Sequence, residues 1–165
     1  DQRVKGESKS LKAIAGGSPA FLIHFWSPWA SQAMAIMDEF LIISDSLIKN
    51  NIPVASILLS STTEARRAGD DLVAREKQGN TAHWLVDTEK FSLGSLMRVS
   101  SFPTVVLVSN KGKILFNGDP ADRRLWEILT AINPEITAPT INAVLPKMDP
   151  KSTSRAKTAT KARNI

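Results

Sequence analysis

Short apolar runs alternate with stretches of helical period up to about residue 136, and this alternation constrains the fold more than any other feature of the chain. Ala20-Phe-Leu-Ile-His-Phe-Trp26 is apolar except for His24 and is bracketed by Pro19 and Pro28. A run of that length, rich in branched and aromatic residues and bounded by proline, predicts a strand buried on both faces. Pro53–Leu59, His83–Val86 and Pro103–Ser109 repeat the pattern. After the first run, Met34, Met37, Leu41, Ser44 and Ile48 recur at helical spacing, with Ile36 and Phe40 beside them. One helix is predicted from Ser31 to Asn50, stopped by Asn50-Asn51 and Pro53.

The other elements are marked by turn and cap residues. Ser10–Ile14 is a short helical turn before Gly16-Gly17. Ser60-Ser-Thr-Thr63 ahead of Glu64 is an N-cap signal for a charged helix running to Gln78-Gly79. Phe91–Arg98 forms a short helix. Asn110-Lys-Gly112 joins the fourth strand to a fifth, Lys113–Phe116, in a hairpin. Asp119-Pro120 opens a last helix whose apolar face holds Leu125, Ile128, Leu129 and Ile132, and Pro134 ends it.

The order β-α-β-α-β-α-β-β-α predicts an α/β fold. It has a central mixed sheet flanked by helices, with a C-terminal β-hairpin plus helix. The strands that alternate with helices should be parallel, and the closing hairpin should add an antiparallel edge. Residues 20–136 are expected to form the domain, after a lead-in over 1–19. Residues 137–165, with Pro139, Pro146 and Pro150 before a Lys/Ser/Thr/Ala run, are expected to be a flexible basic tail.

Charge placement narrows the partners. The net charge of +5 is carried entirely by residues 147–165, where Lys147, Lys151, Arg155, Lys157, Lys161 and Arg163 oppose only Asp149. The rest is neutral, which argues against nucleic-acid binding by the folded domain. No apolar run is long enough to span a bilayer. The chain opens on Asp1 instead of Met, so an upstream leader or anchor, and with it proximity to a membrane, is an expectation. His24 and His83, with no cysteine in the chain, give no recognisable metal site, and no cofactor is expected.

The segment at the exit of the first strand carries the chemical information. Phe25-Trp-Ser-Pro-Trp-Ala-Ser-Gln-Ala33 resembles the active-site segment of the thioredoxin superfamily, Phe-Trp-Ala-x-Trp-Cys-x-x-Cys. Every position matches in type except Ser27 and the two cysteines, which are Ala30 and Ala33. Phe102-Pro103-Thr104 is similar to the family's cis-proline loop, and Val106–Ile114 to its final hairpin. The wide spacing from Ala30 to Pro103 resembles the class with an inserted helix and strand. That class includes TlpA and ResA type proteins and the tryparedoxin and nucleoredoxin group.

The resemblance implies a thiol–disulfide oxidoreductase acting by disulfide reduction or exchange on protein or peptide substrates that carry a disulfide or thiol. It also implies an extracytoplasmic setting, periplasmic or membrane-anchored. In such a protein a helix N-terminus lowers the pKa of the first thiol, the thiolate attacks a disulfide, and the second thiol resolves the intermediate. Position 30 would carry the attacking sulfur, position 33 the resolving sulfur, and Pro103 the substrate platform. His24, where thioredoxins hold a buried acid, is a candidate proton relay; a buried neutral histidine is the other reading. Trp29, Ser31, Gln32, Phe102 and Thr104 are the implied substrate-binding residues. Alanine has no nucleophile, so these 165 residues cannot perform the exchange themselves. Paired alanines fit either deliberate replacement of both cysteines or a natural redox-silent chain. The expected function is therefore a cysteine-less, catalytically silent oxidoreductase domain, and the alternative is a natural peptide- or protein-binding module.

Overall fold

The computed structural model describes residues 9–59, 62–75, 82–87, 90 and 92–138. In chain order the elements are α1 (Leu11–Ala15), β1 (Ala20–Trp26), α2 (Ser31–Ala35), α3 (Met37–Lys49), β2 (Val54–Leu58) and α4 (Thr63–Arg75). There follow β3 (His83–Val86), α5 (Leu93–Leu96), β4 (Thr104–Ser109), β5 (Ile114–Gly118) and α6 (Arg123–Ile132). The five strands form one sheet in the order β3-β2-β1-β4-β5. The mixed α/β architecture expected from the sequence is present.

The sheet turns antiparallel at its centre. β1 and β2 are parallel, as are β2 and β3, but β4 already runs antiparallel to β1. The expectation of an antiparallel edge only is corrected on this point. A parallel return is usually carried by a helix that runs back along the length of the sheet. The only helix between β3 and β4 among the described residues is α5, four residues long. At about 1.5 Å per residue it is too short to carry the chain the length of the sheet. β4 therefore starts where β3 ended and runs back.

Both faces of β1 are buried, and its side chains alternate between two cores. Leu22 and Trp26 face Met37, Phe40, Leu41 and Leu47 of α3, together with Leu125, Trp126 and Leu129 of α6. Phe21, Ile23 and Phe25 face the other way, toward Ile14 and Ala15 of α1. α1 lies in the expected lead-in, but its last two residues are part of this second core. α3 and α4 cover the same face, as right-handed connections in one direction across the sheet require. Val73 of α4 joins the first core, and Gly69 sits against Leu58 and Trp26.

Three helix boundaries differ from the sequence reading. The helix expected from Ser31 to Asn50 breaks at Ile36 (φ −105°, ψ 3°), giving α2 and α3. The last helix starts at Arg123, not at Asp119-Pro120. Asp119 accepts from the Ala121 N–H in a turn at 2.7 Å, and the Asp122 side chain caps the helix through the Arg124 N–H at 2.9 Å. α5 is shorter than the expected Phe91–Arg98. Its first turn is fixed by Asp87, which accepts from Ser92 Oγ and from the Leu93 and Gly94 N–H groups, each at 2.9 Å. Phe91, Ser60, Ser61, Gln78, Gly79 and most of the expected tail lie outside the described residues.

Candidate functional site

In open α/β sheets, ligands collect beyond the carboxyl ends of the strands where the strand order reverses. Here the order reverses beside β1, because β2 follows it on one side and β4 lies on the other. Three segments meet at that end of the sheet. The chain leaving β1 enters α2. The chain entering β4 comes from Phe102-Pro103, and the last β1–β4 pair is Phe25 with Thr104. The chain leaving β2 is tied on by the Leu59 N–H, which donates to the Trp26 carbonyl at 3.0 Å.

Ser27 shapes the turn out of β1. Its carbonyl accepts from the Ala30 N–H at 3.1 Å, and its Oγ accepts from the Trp29 N–H at 3.4 Å. This turn turns Trp29 outward, where it is 67% exposed, while Trp26, three residues earlier, is fully buried. Trp26 meets Trp84 edge to face, with ring centroids 5.9 Å apart. Ala30 is the N-cap residue of α2 and is half-buried. Its side chain can accept no bond, and its carbonyl accepts from the Met34 N–H at 3.0 Å. Ala33, one turn on, is wholly buried. Ser31 and Gln32 between them are exposed. Ala30, Met34 and Phe102 all pack against the core that contains Ala33 and Trp26.

Pro103 leads into β4 at the same end of the sheet, next to the Phe25–Thr104 pair. The Phe102–Pro103 peptide bond is cis. Pro103 and Thr104 are buried, Phe102 is half-buried, and Thr104 Oγ1 donates to the Ser101 carbonyl at 2.7 Å. The two segments singled out in the sequence, Trp29–Ala33 and Phe102–Thr104, are thus brought to one end of the sheet although some seventy positions separate them.

His24 lies beneath them in the sheet, fully buried on the α3 side of β1. Its ring stacks on Phe40, with centroids 3.8 Å apart and planes inclined by 29°. Nδ1 is 3.2 Å from Ser56 Oγ, and Nε2 is buried with no hydrogen-bond partner. Burial pulls its pKa from 6.5 down to about 3. An imidazolium would need partners for both N–H groups, so this ring is neutral near pH 7. Ser56 and Phe40 were not singled out in the sequence. Ser56 did leave a signal, as the lone hydroxyl inside the apolar run Val54–Leu59. His83 pairs with Ala55, one position out of step with the His24–Ser56 pair, so the two imidazoles lie on opposite faces of the sheet. Its pKa is also lowered, first by burial and then by the Lys9 charge.

The same arrangement of elements occurs in solved structures. A thiol-disulfide oxidoreductase from Bacteroides fragilis superposes with a TM-score of 0.57 at 19% identity, over 74% of this chain and 85% of that one. A thiol:disulfide interchange protein from a Bacteroides species gives 0.55 at 19% identity, over 78% and 80%. The exposed lipoprotein thioredoxin of Streptococcus pneumoniae gives 0.55 at 16% identity, over 73% and 89%. The fold is thioredoxin-like. No protein-family model and no curated protein sequence matches the chain. At these identities the likeness extends to the fold and not to activity.

The arrangement fixes what this end of the sheet can do. With no cysteine in the chain, no thiolate can form at either alanine position. Ser31 is no substitute, since no general base contacts it among the described residues. What is left is a surface: an exposed indole, the half-buried Ala30 and Phe102, and hydroxyl and amide groups on the first turn of α2. Among the described residues no helix is long and apolar enough to cross a membrane.

Proposed function

We propose that residues 20–136 act as a protein-binding module of thioredoxin-like fold, the cysteine-less and catalytically silent form of a thiol–disulfide oxidoreductase domain. The observation that carries this reading is that Trp29–Ala33 and the Phe102–Pro103 loop come to the same end of the sheet, beside the reversal in strand order. Such a loop next to an exposed tryptophan suits an extended peptide laid along it in the manner of strand addition. Recognition of that kind does not need sulfur. Trp29, Ser31, Gln32, Phe102 and Thr104 would contact the partner, with Ala30 and Ala33 where the attacking and resolving sulfurs of an active relative stand and Pro103 as the platform. His24 would be a packing residue here, and a proton relay only in a form with thiols to serve.

Two experiments separate the parts of this reading. Titration of the ¹⁵N-labelled chain with extended peptides should shift the Trp29 indole and the amides of residues 29–33 and 101–104; shifts elsewhere, or none, would reject the module. Restoring both sulfurs, with Ala30→Cys and Ala33→Cys together, should yield dithiothreitol-coupled insulin reduction. An inactive but folded double variant would reject the kinship with the oxidoreductases.

An extracytoplasmic setting accompanies the proposal. It draws support from the resemblance to periplasmic and anchored proteins and from a structural neighbour described as an exposed lipoprotein. Recovery of the native protein in the cytoplasmic fraction of its own cells would count against it.

A further inference from the structure

The middle of this end of the sheet, where β1, β2 and β4 meet, is built of uncharged segments, while Asp87 and Asp119 stand to either side, after β3 and β5. From Phe25 to Met37 there is no charged residue, and from Val99 to Asn110 there is none either. The segment from Leu59 to Thr63, which leaves β2 beside them, is also uncharged in sequence. The nearest charges along these segments are Asp38, Glu64, Arg98 and Lys111. Beneath the surface the one titratable side chain of β1 is His24. The groups that face it are Phe40 from α3, Ser56 from β2 and Val105 from β4, none of which carries charge. Burial keeps the imidazole neutral throughout the physiological range. Neither a thiolate nor a proton-donating acid remains between Phe25 and Met37 or between Val99 and Asn110, so these segments offer no counter-charge to a partner.

Resting on the binding-module reading, we propose that the partner segment is an extended, uncharged peptide whose central side chain is apolar and seats against Trp29, Ala30 and Phe102. The physical argument is one of matching. Trp29 is the largest apolar side chain exposed in the described structure, and an exposed tryptophan is the residue type that most often anchors an interface. The methyl group of Ala30 and the half-buried ring of Phe102 extend that apolar surface, where a sulfur would otherwise project. A charged side chain buried there would lose its water and find no partner, which is strongly unfavourable. An apolar side chain gains from the same burial. The hydroxyl and amide groups of Ser31 and Gln32 can hydrogen-bond a peptide backbone without selecting for charge. Loss of both cysteines therefore changes what is recognised, from a disulfide to an apolar side chain, while the backbone platform at Pro103 stays the same.

The test uses the full chain and capped extended peptides that are identical except at the centre, which is isoleucine, phenylalanine, cysteine, lysine or glutamate. Dissociation constants come from the backbone amide shifts of residues 30–33, 102 and 104 in ¹⁵N–¹H spectra, which every variant retains. Isoleucine and phenylalanine peptides should bind at least tenfold tighter than lysine and glutamate peptides, and the cysteine peptide should show no advantage over isoleucine. Gln32→Lys places a cation among the partner contacts and should shift the ratio of glutamate-peptide to isoleucine-peptide affinity several-fold toward glutamate. Equal binding of charged and apolar peptides, or preference for cysteine, would overturn the proposal while leaving the module intact. Failure of every peptide to bind would overturn the module reading and the proposal with it. Trp29→Ser removes the anchor from a solvent-exposed position, and unchanged affinity in that variant would overturn the proposal even if the Gln32 variant failed to fold.

Discussion

Replacing His24 with leucine should flatten the pH dependence of stability between pH 7.5 and 4.5. In the unfolded chain the imidazole titrates near 6.5; in the fold it is pulled down to about 3 by burial against Phe40 and beside Ser56. Below pH 6.5 the unfolded state therefore binds a proton that the folded state refuses. The sign follows directly: this group's contribution is complete above pH 6.5 and is lost as pH falls toward 3. Each pH unit in that window costs about 1.4 kcal/mol, so going from pH 7.5 to 4.5 removes about 2.7 kcal/mol. That is a large part of the 5–15 kcal/mol typical of a domain. Urea denaturation of both proteins at the two pH values, read as the change in extrapolated stability, measures it. His83 and the carboxylates contribute to both proteins and cancel in the difference. The leucine variant, though weaker at pH 7.5 from lost stacking and altered packing, should lose about 2.7 kcal/mol less than the parent on acidification. Equal losses would show that His24 accepts a proton in the folded state, and would refute the account of a ring sealed neutral in the core.

Other substitutions test separate parts of the structure. Asp87→Ala strips the acceptor from the Leu93 and Gly94 N–H groups and from Ser92 Oγ, and should lower stability by about 2 kcal/mol in urea denaturation, with amide exchange rising first around α5. Gly69→Ala places a Cβ 2.8 Å from Leu58 Cδ2 and 3.5 Å from Trp26 Cη2 in a filled core. The strain should outweigh the better helix propensity and cost about 1 kcal/mol. Trp29→Ala, at a 67% exposed site, should change stability by less than about 0.5 kcal/mol yet weaken peptide binding at least tenfold.

How much of this was legible in the sequence depended on the range of the forces involved. β1 and β3 begin and end where their apolar runs do, because a buried strand is a local pattern of side chains. The Trp29–Ala33 and Phe102–Thr104 segments were visible as motifs, and their meeting follows from β1 and β4 being neighbours. The break at Ile36 was not visible. No proline or glycine marks it, and the apolar period passes through it from Ala33 to Met37 to Phe40 without interruption. The direction of β4 was missed because it depends on a length comparison between α5 and the sheet, not on composition. The start of α6 moved because two aspartates compete to cap it, and Pro120 lies in the turn made by the first. His24 was visible as an oddity, but its state was set by residues far along the chain, Phe40 and Ser56, that only the fold brings to it.

The break at Ile36 also bears on why two alanines can stand where sulfurs would. The field at a helix N-terminus acts mainly through the first turn, and α2 supplies that turn within its five residues before the break. Any anion at position 30 would then depend on the few free N–H groups of that short helix. Alanine makes no such demand, although at this N-cap position it leaves the first-turn N–H groups without a side-chain acceptor. At position 33 the side chain is sealed in the core with Trp26 and Met37 around the same cluster. A methyl group is stable there, while a thiolate would be desolvated. With alanine at both positions, the turn at Ser27, the exposed Trp29 and the Phe102–Pro103 loop are held by backbone hydrogen bonds, the Ser27 hydroxyl and core packing, none of which involves sulfur.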